Sequence, residues 1–253
     1  MPFGKERRRL LTQFDTSAAF VFNGKPASLF NLELVTDGLV LNSSETDVSF
    51  DAVSGHSGDY IIDNGRYKNF VQAFSFTLDL RGKELSTAKN SILSWLRSAN
   101  DYSPLWFKGY PNFYYLALPY QAVSFEFLSM EHYKVTINFY CEPFLPRLDG
   151  LEPIAFQNKL TLENTEEWAS EPIITLNGVG TLKINDYEAN IESTNKPLVI
   201  DSLAKRVYSQ DEQDNYNNHV TLPNFEFPRL LPGKNVIEFS GSGEVKPRWQ
   251  TLA

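Results

Sequence analysis

The sequence predicts a mainly β protein of two domains with one α-helix, and three observations carry that prediction. From Phe70 to Leu80 apolar side chains recur at every second position except 72, which is glutamine, the period of a half-buried strand. Turn pairs such as Asn23-Gly24, Asp37-Gly38 and Asn177-Gly178 recur between short apolar runs, the spacing of antiparallel strands joined by tight reversals. The chain also holds 12 Tyr and 19 Phe, residues that suit pleated surfaces.

In the first half, strands are expected at Phe20 to Phe22, Leu32 to Val35 and Leu39 to Leu41, with Asn-Gly and Asp-Gly reversals between them. The glycine-rich SGHSGDYIIDNG, Ser54 to Gly65, reads as a long hairpin or a flexible loop. In the Phe70 to Leu80 strand, Phe70, Phe74, Phe76, Leu78 and Leu80 share the core face. A helix is predicted over Ser86 to Ser98, with Ser86 as N-cap and Ala88, Ile92, Trp95, Leu96 and Ala99 on one stripe packed against the sheet. Strands follow at Pro104 to Phe107, Phe113 to Leu118, Ala122 to Leu128 and Tyr133 to Tyr140. Pro143 and Pro146 stop the last of these and stiffen the connection, so the domains are expected to be 1–142 and 143–253.

The second half reads as an antiparallel sandwich, with strands at Phe156 to Leu162, Pro172 to Leu176, Thr181 to Ile184, Tyr187 to Ile191 and Leu198 to Ile200. The polar stretch Ser209 to Asn218 is expected as an exposed loop. The chain then closes on a proline-rich coil, Leu222 to Pro232, and a hairpin whose reversal is placed at Gly241-Ser242-Gly243 before a return through Val245 to Trp249. No internal repeat relates the halves.

Composition narrows the function. A net charge of −8 is the wrong sign for a protein that neutralises nucleic-acid phosphates over its surface. The basic Lys5 to Arg9 cluster reads as a solvated tail or as a contact for nucleic acid or an acidic partner. A lone cysteine, Cys141, excludes an intramolecular disulfide and any multi-cysteine zinc site. No apolar run has the length of a bilayer span, and no apolar segment follows the basic cluster as in an export signal, so assembly inside the cell without membrane insertion is expected.

The chemistry of catalysis finds no footing. His56, His132 and His219 lie far apart and outside any His-Glu-x-x-His pattern. Cys141 lacks a histidine partner and stands beside Glu142, which fits a small strand-end residue better than a nucleophile. Glu166 and Glu167 are paired carboxylates only by adjacency, and neither a Gly-x-Ser-x-Gly elbow nor a phosphate-binding glycine loop occurs. The expectation is a protein without catalytic residues, cofactor or metal.

Several short motifs, in order and spacing, resemble the distal tail protein family of siphophages. In the first domain they are Phe22-Asn23-Gly24, Ser57-Gly58-Asp59, Ser94-Trp95-Leu96, Pro111-Asn112-Phe113-Tyr114-Tyr115 and Phe139-Tyr140-Cys141-Glu142-Pro143-Phe144. In the second they are Pro172-Ile173-Ile174, Gly178-Val179-Gly180, Leu198-Val199-Ile200-Asp201, Phe227-Pro228-Arg229-Leu230, Leu231-Pro232-Gly233-Lys234-Asn235 and Pro247-Arg248-Trp249. The resemblance implies an N-terminal β-sandwich or split-barrel-like domain with one helix, followed by a galectin-like antiparallel β-sandwich.

It further implies a structural virion protein: a hexameric ring, single or paired, at the distal end of the tail. The ring joins the tail tube protein to the tail-tip hub, and in some relatives anchors receptor-binding or baseplate proteins. DNA would pass through its channel unbound, and an acidic lumen would help it slide. The segment Asn42 to Asn69 is either an arm reaching the neighbouring subunit or an internal hairpin.

A reading of a different class is a carbohydrate-binding module, in which Trp168, Trp249, Tyr187 and Tyr216 stack on sugar rings. Against it, His219-Val220-Thr221-Leu222-Pro223 lacks the polar fork of the galectin signature, and no tryptophan precedes a glycine.

Overall fold

The computed structural model describes residues 17–253. It is mainly β, with a single α-helix among the described residues, and its strands pair antiparallel. The chain forms two compact units, one of residues 17–145 with Leu252–Ala253, the other of Pro146–Thr251.

The first unit contains β1 (Phe20–Phe22), β2 (Lys25–Pro26), β3 (Leu32–Val35), β4 (Thr46–Ala52), β5 (Asp59–Tyr67), β6 (Phe70–Asp79), α1 (Leu85–Arg97), β7 (Ser103–Phe107), β8 (Tyr115–Phe127) and β9 (His132–Cys141). Seven of these strands form one sheet in the order β2-β1-β7-β8-β9-β6-β3. The Asn23-Gly24 reversal works as expected, both residues taking the positive φ that a twisted two-residue hairpin requires. The alternation of β6 is complete: Phe70, Phe74, Phe76 and Leu78 are buried, and the positions between them are partly open.

Helix α1 covers this sheet with Ala88, Ile92, Trp95 and Leu96 buried. Trp95 is core, stacked on Phe30 at 4.5 Å between ring centroids, and its indole Nε1 donates to the Phe22 carbonyl at 3.2 Å. The helix starts one residue earlier than expected, and Glu84, not Ser86, takes the cap position without a side-chain bond to the backbone.

Two expectations in this unit are corrected. No strand forms at Leu39 to Leu41. That stretch is held instead by the buried Gln72, whose amide donates to the Val40 carbonyl and accepts from the Asn42 N–H, both at 2.9 Å, so a side chain supplies the bonds a strand neighbour would give. The separate strands expected at Phe113 to Leu118 and Ala122 to Leu128 are one strand, β8. Its pairing to β9 shifts between Tyr120 and Ser124, where Gln121 takes φ +64 and absorbs an irregularity without ending the strand.

The stretch Phe144–Pro146 forms β10, at whose end the chain leaves the first unit. The second unit contains β11 (Ile154–Asn164), β12 (Ile173–Asn177), β13 (Gly180–Ile184), β14 (Tyr187–Ile191), β15 (Leu198–Asp201), β16 (Arg206–Ser209), β17 (Val220–Thr221) and β18 (Gly233–Lys246). A last short strand, β19 (Gln250–Leu252), ends the chain. β18 organises the unit. One edge pairs with β11, while the other pairs first with β13 and then with β12. The sheet thereby divides into a β13-β14-β17 wing and a β12-β15-β16 wing, whose apolar faces share one core that includes Ile174, Leu182, Ile200 and Phe239.

The reversal expected at Gly241-Ser242-Gly243 does not exist, because β18 continues through it, with only a shift in its pairing to β11 between Glu238 and Ser242. The glycines answer a different need. A Cβ on Gly243 would stand 2.6 Å from the Thr175 carbonyl oxygen and 2.8 Å from the Phe156 ring, and one on Gly241 would stand 2.6 Å from the Asn177 carbonyl oxygen. They permit close approach of neighbouring strands rather than a turn. The polar loop after β16 is also not wholly exposed, since Tyr216 sits in the core.

Candidate assembly interface

The residues with chemical potential are dispersed. His56 lies between β4 and β5 with Nδ1 3.3 Å from the Gly58 carbonyl, His132 Nδ1 is 3.1 Å from Ser129 Oγ, and His219 packs edge-on to Tyr216. Among the described residues no group of three or more His, Cys, Asp or Glu gathers as a metal site would. Cys141 is fully buried, its Sγ donates weakly to the Phe139 carbonyl, and burial pushes its pKa up to about 12. Burial, and not the neighbouring Glu142, is the cause. Glu166 accepts from Arg147 Nη1 at 2.7 Å, while Glu167 is exposed in the same bend, so the two carboxylates serve no common centre.

The aromatics considered for sugar stacking do not form a platform. Trp249 and Tyr216 are each 7 % exposed and belong to the core of the second unit. Tyr187 packs against that core, and its hydroxyl donates to the Glu226 carbonyl at 2.9 Å; desolvation raises its pKa. Trp168 is half-buried. A groove in this unit, about 550 Å³, is lined by Asn158, Lys159, Thr181, Lys183, Glu238, Phe239 and Ser240. Its charges are already matched, Lys159 to Glu238 at 2.7 Å and Lys183 to Glu188 at 2.6 Å.

The departure from ordinary surface lies in the first unit. β4 and β5 form a two-stranded sheet of their own, paired with no other strand among the described residues. Asn64-Gly65 sits at a register shift, and the Gly65 N–H, at φ +67, donates to Asp63 Oδ1 at 2.8 Å. The hairpin root is tied down: Arg66 Nε donates to Asp47 Oδ2 at 2.6 Å, Ser44 Oγ donates to the Lys68 carbonyl at 2.7 Å, and Tyr67 meets Phe144 edge-on. Beyond the root no described residue covers it, and Phe50, Val53, Tyr60, Ile61 and Ile62 are exposed, Ile61 at 68 %. The segment left open between hairpin and loop is therefore a hairpin. Its apolar run escaped alternation because both of its faces are open.

A second exposed apolar cluster lies where β8 turns into β9. Phe127, Leu128 and Met130 are exposed there, Met130 at 84 %. The Leu80 N–H donates to the Glu131 carbonyl at 2.9 Å, which brings the turn between β6 and α1 beside it. The basic cluster Lys5 to Arg9 lies outside the described residues.

No protein-family model and no curated protein sequence matches the chain. Among solved structures, it is similar to that titled "Crystal Structure of SPP1 Dit (gp 19.1) Protein, a Paradigm of Hub Adsorption Apparatus in Gram-positive Infecting Phages". The TM-score is 0.61 at 13 % identity, over 90 % of this chain and 96 % of that chain. At that identity the likeness is one of fold.

Proposed function

We propose that this protein is a structural component of a phage tail, a ring-forming hub at the distal end that joins the tail tube to the tail-tip and host-adsorption proteins. The fold it shares with a hub protein, over nearly the full length of both chains, supports that reading. The observation that carries it is the β4–β5 hairpin. An isolated two-stranded hairpin is marginal in water, and this one shows apolar side chains on faces that nothing among the described residues covers. Such an element is built to be covered on assembly, and a hexameric ring supplies the cover from the next copy.

In this reading the first unit closes the ring around a channel. The second unit, a galectin-like sandwich, projects outward toward receptor-binding or baseplate proteins. DNA passes through the channel without being held, helped by acidic residues in the lumen, in keeping with the net charge of −8. Native mass spectrometry over a concentration series, with negative-stain images of the heaviest species, tests the proposal. Hexamers or paired hexamers with an open centre are expected, and a monomer at every concentration would overturn it.

A further inference from the structure

We propose that two exposed apolar patches of the first unit are the two halves of one contact, so that the β4–β5 hairpin of one copy docks on the β8–β9 end of the next. This rests on the ring reading and deepens it by naming the receiving surface.

The first argument is that the patches differ. One is a slender hairpin with Phe50 and Ile61 paired on one face and Tyr60 and Ile62 on the other, and the other carries Phe127, Leu128 and Met130 on the rim of the large sheet. A ring needs two unlike surfaces on each protomer, whereas a self-complementary patch closes as a dimer and stops. Strands of seven and nine residues reach about 25 Å from their root, enough to leave one subunit and lie along another.

The second argument is charge. From Thr46 to Gly65 there is no Lys or Arg, and Asp51, Asp59 and Asp63 are exposed without an ion pair among the described residues. Two such hairpins repel one another, which disfavours hairpin-to-hairpin pairing. Around the second patch Lys83, Lys89 and Lys134 are exposed and likewise without an ion pair among the described residues, Lys89 standing 5.4 Å over the Phe125 ring. Arg81 is already engaged by Asp79. Glu126 and Glu131 also lie here, and they would take the rim, where water screens them. Apolar side chains then meet at the centre with aspartates against lysines around them, the anatomy of a specific interface.

The test is a pair of cysteines in one full-length chain, Ile61→Cys with Met130→Cys, oxidised at a concentration where native mass spectrometry of the unaltered protein finds rings. The native Cys141 is buried and stays silent. A reducible ladder of linked chains, ending at the ring number, is expected, with each single-cysteine variant remaining one chain on a denaturing gel. An independent arm reverses charge. Asp51→Lys with Asp59→Lys should raise the midpoint concentration for assembly about tenfold, and adding Lys83→Glu with Lys134→Glu should restore it.

Rings without a ladder and without rescue would overturn this pairing and leave the ring standing. Covalent dimers from Ile61→Cys alone would also overturn it, in favour of hairpins meeting each other. An unaltered protein that never leaves the monomer would overturn the ring itself, and this pairing with it.

Discussion

Arg248 and Asp201 form a two-pronged ion pair, Nη1 2.7 Å from Oδ1 and Nη2 3.2 Å from Oδ2, with side chains only 13 % and 10 % exposed. The pair fastens the chain after β18 onto β15. Arg248 takes φ +54 to reach it, and its N–H donates to the Gly150 carbonyl at 2.8 Å. Removing one partner leaves a nearly buried charge uncompensated, so Asp201→Asn should cost about 3 kcal/mol in the urea transition of the second unit. Replacing both, as Asp201→Leu with Arg248→Met, should cost less than the single change. A double variant as unstable as the sum of its singles would contradict this account.

Gly243 tests the close-approach reading of the strand glycines. Its φ is not in the left-handed region, so alanine meets no backbone strain there, only the Thr175 carbonyl and the Phe156 ring. Either β12 moves away from β18 or the ring leaves its place. Gly243→Ala should therefore destabilise the second unit by about 1–3 kcal/mol, the usual range for overpacking. Gly58→Ala, at a position with open space but φ +98, should leave that unit's transition where it is.

These glycines also show what the residue pattern could and could not convey. The β6 alternation and the Ala88, Ile92, Trp95, Leu96 stripe were legible because one period governs each element and one face is buried. Gly241-Ser242-Gly243 was misread because glycine serves a turn and a tight strand contact equally well, and only the neighbouring strand decides between them. β16 went unread since Lys205, at φ +52, makes the turn before it without glycine or asparagine. Gln72 falls on the core face of the β6 alternation, between Phe70 and Phe74, but what satisfies its amide there became readable only with the Val40 and Asn42 backbone in place around it. At the candidate interface the Asn42 to Asn69 segment stood out by its glycines. The Phe127–Met130 patch did not, because exposure of an apolar residue is a property of the fold and not of its neighbours in sequence.

Asp47 makes the hairpin root sensitive to acid. The hydrogen bond from Arg66 is the main cause holding its carboxyl below the ordinary value, with Asn64, Arg66 and Lys68 adding to it against desolvation. A depressed carboxyl stabilises the folded form above the unfolded-state pKa, and that contribution is lost as pH falls through the lower folded-state value. The protection of the β4–β5 amides, taken as exchange relative to the intrinsic rate at the same pH, should therefore fall below about pH 4, the ordinary carboxylate range. In Asp47→Asn the protection should already be lower at neutral pH and should lose that acid dependence. Equal acid sensitivity in the variant would place the cause elsewhere.

Phe225 poses the opposite case, a large side chain that folding does not use. It is 93 % exposed at φ +60 and follows Asn224 at φ +52, so two successive residues stand in the left-handed region that bulky side chains avoid. The turn is held by the Glu226 N–H donating to the Pro223 carbonyl at 2.9 Å and by Tyr187 Oη donating to the Glu226 carbonyl. Glycine at 225 would relieve about 1–2 kcal/mol of left-handed strain and give back about 0.5–1 kcal/mol through the freedom it adds to the unfolded chain. Phe225→Gly should thus leave the second unit as stable as before, or more stable by up to about 1.5 kcal/mol. The buried Phe239→Ala should cost about 3–5 kcal/mol in the same measurement. A loss in Phe225→Gly approaching that of Phe239→Ala would mean that the ring is packed in solution and that the outward geometry of this turn does not hold there.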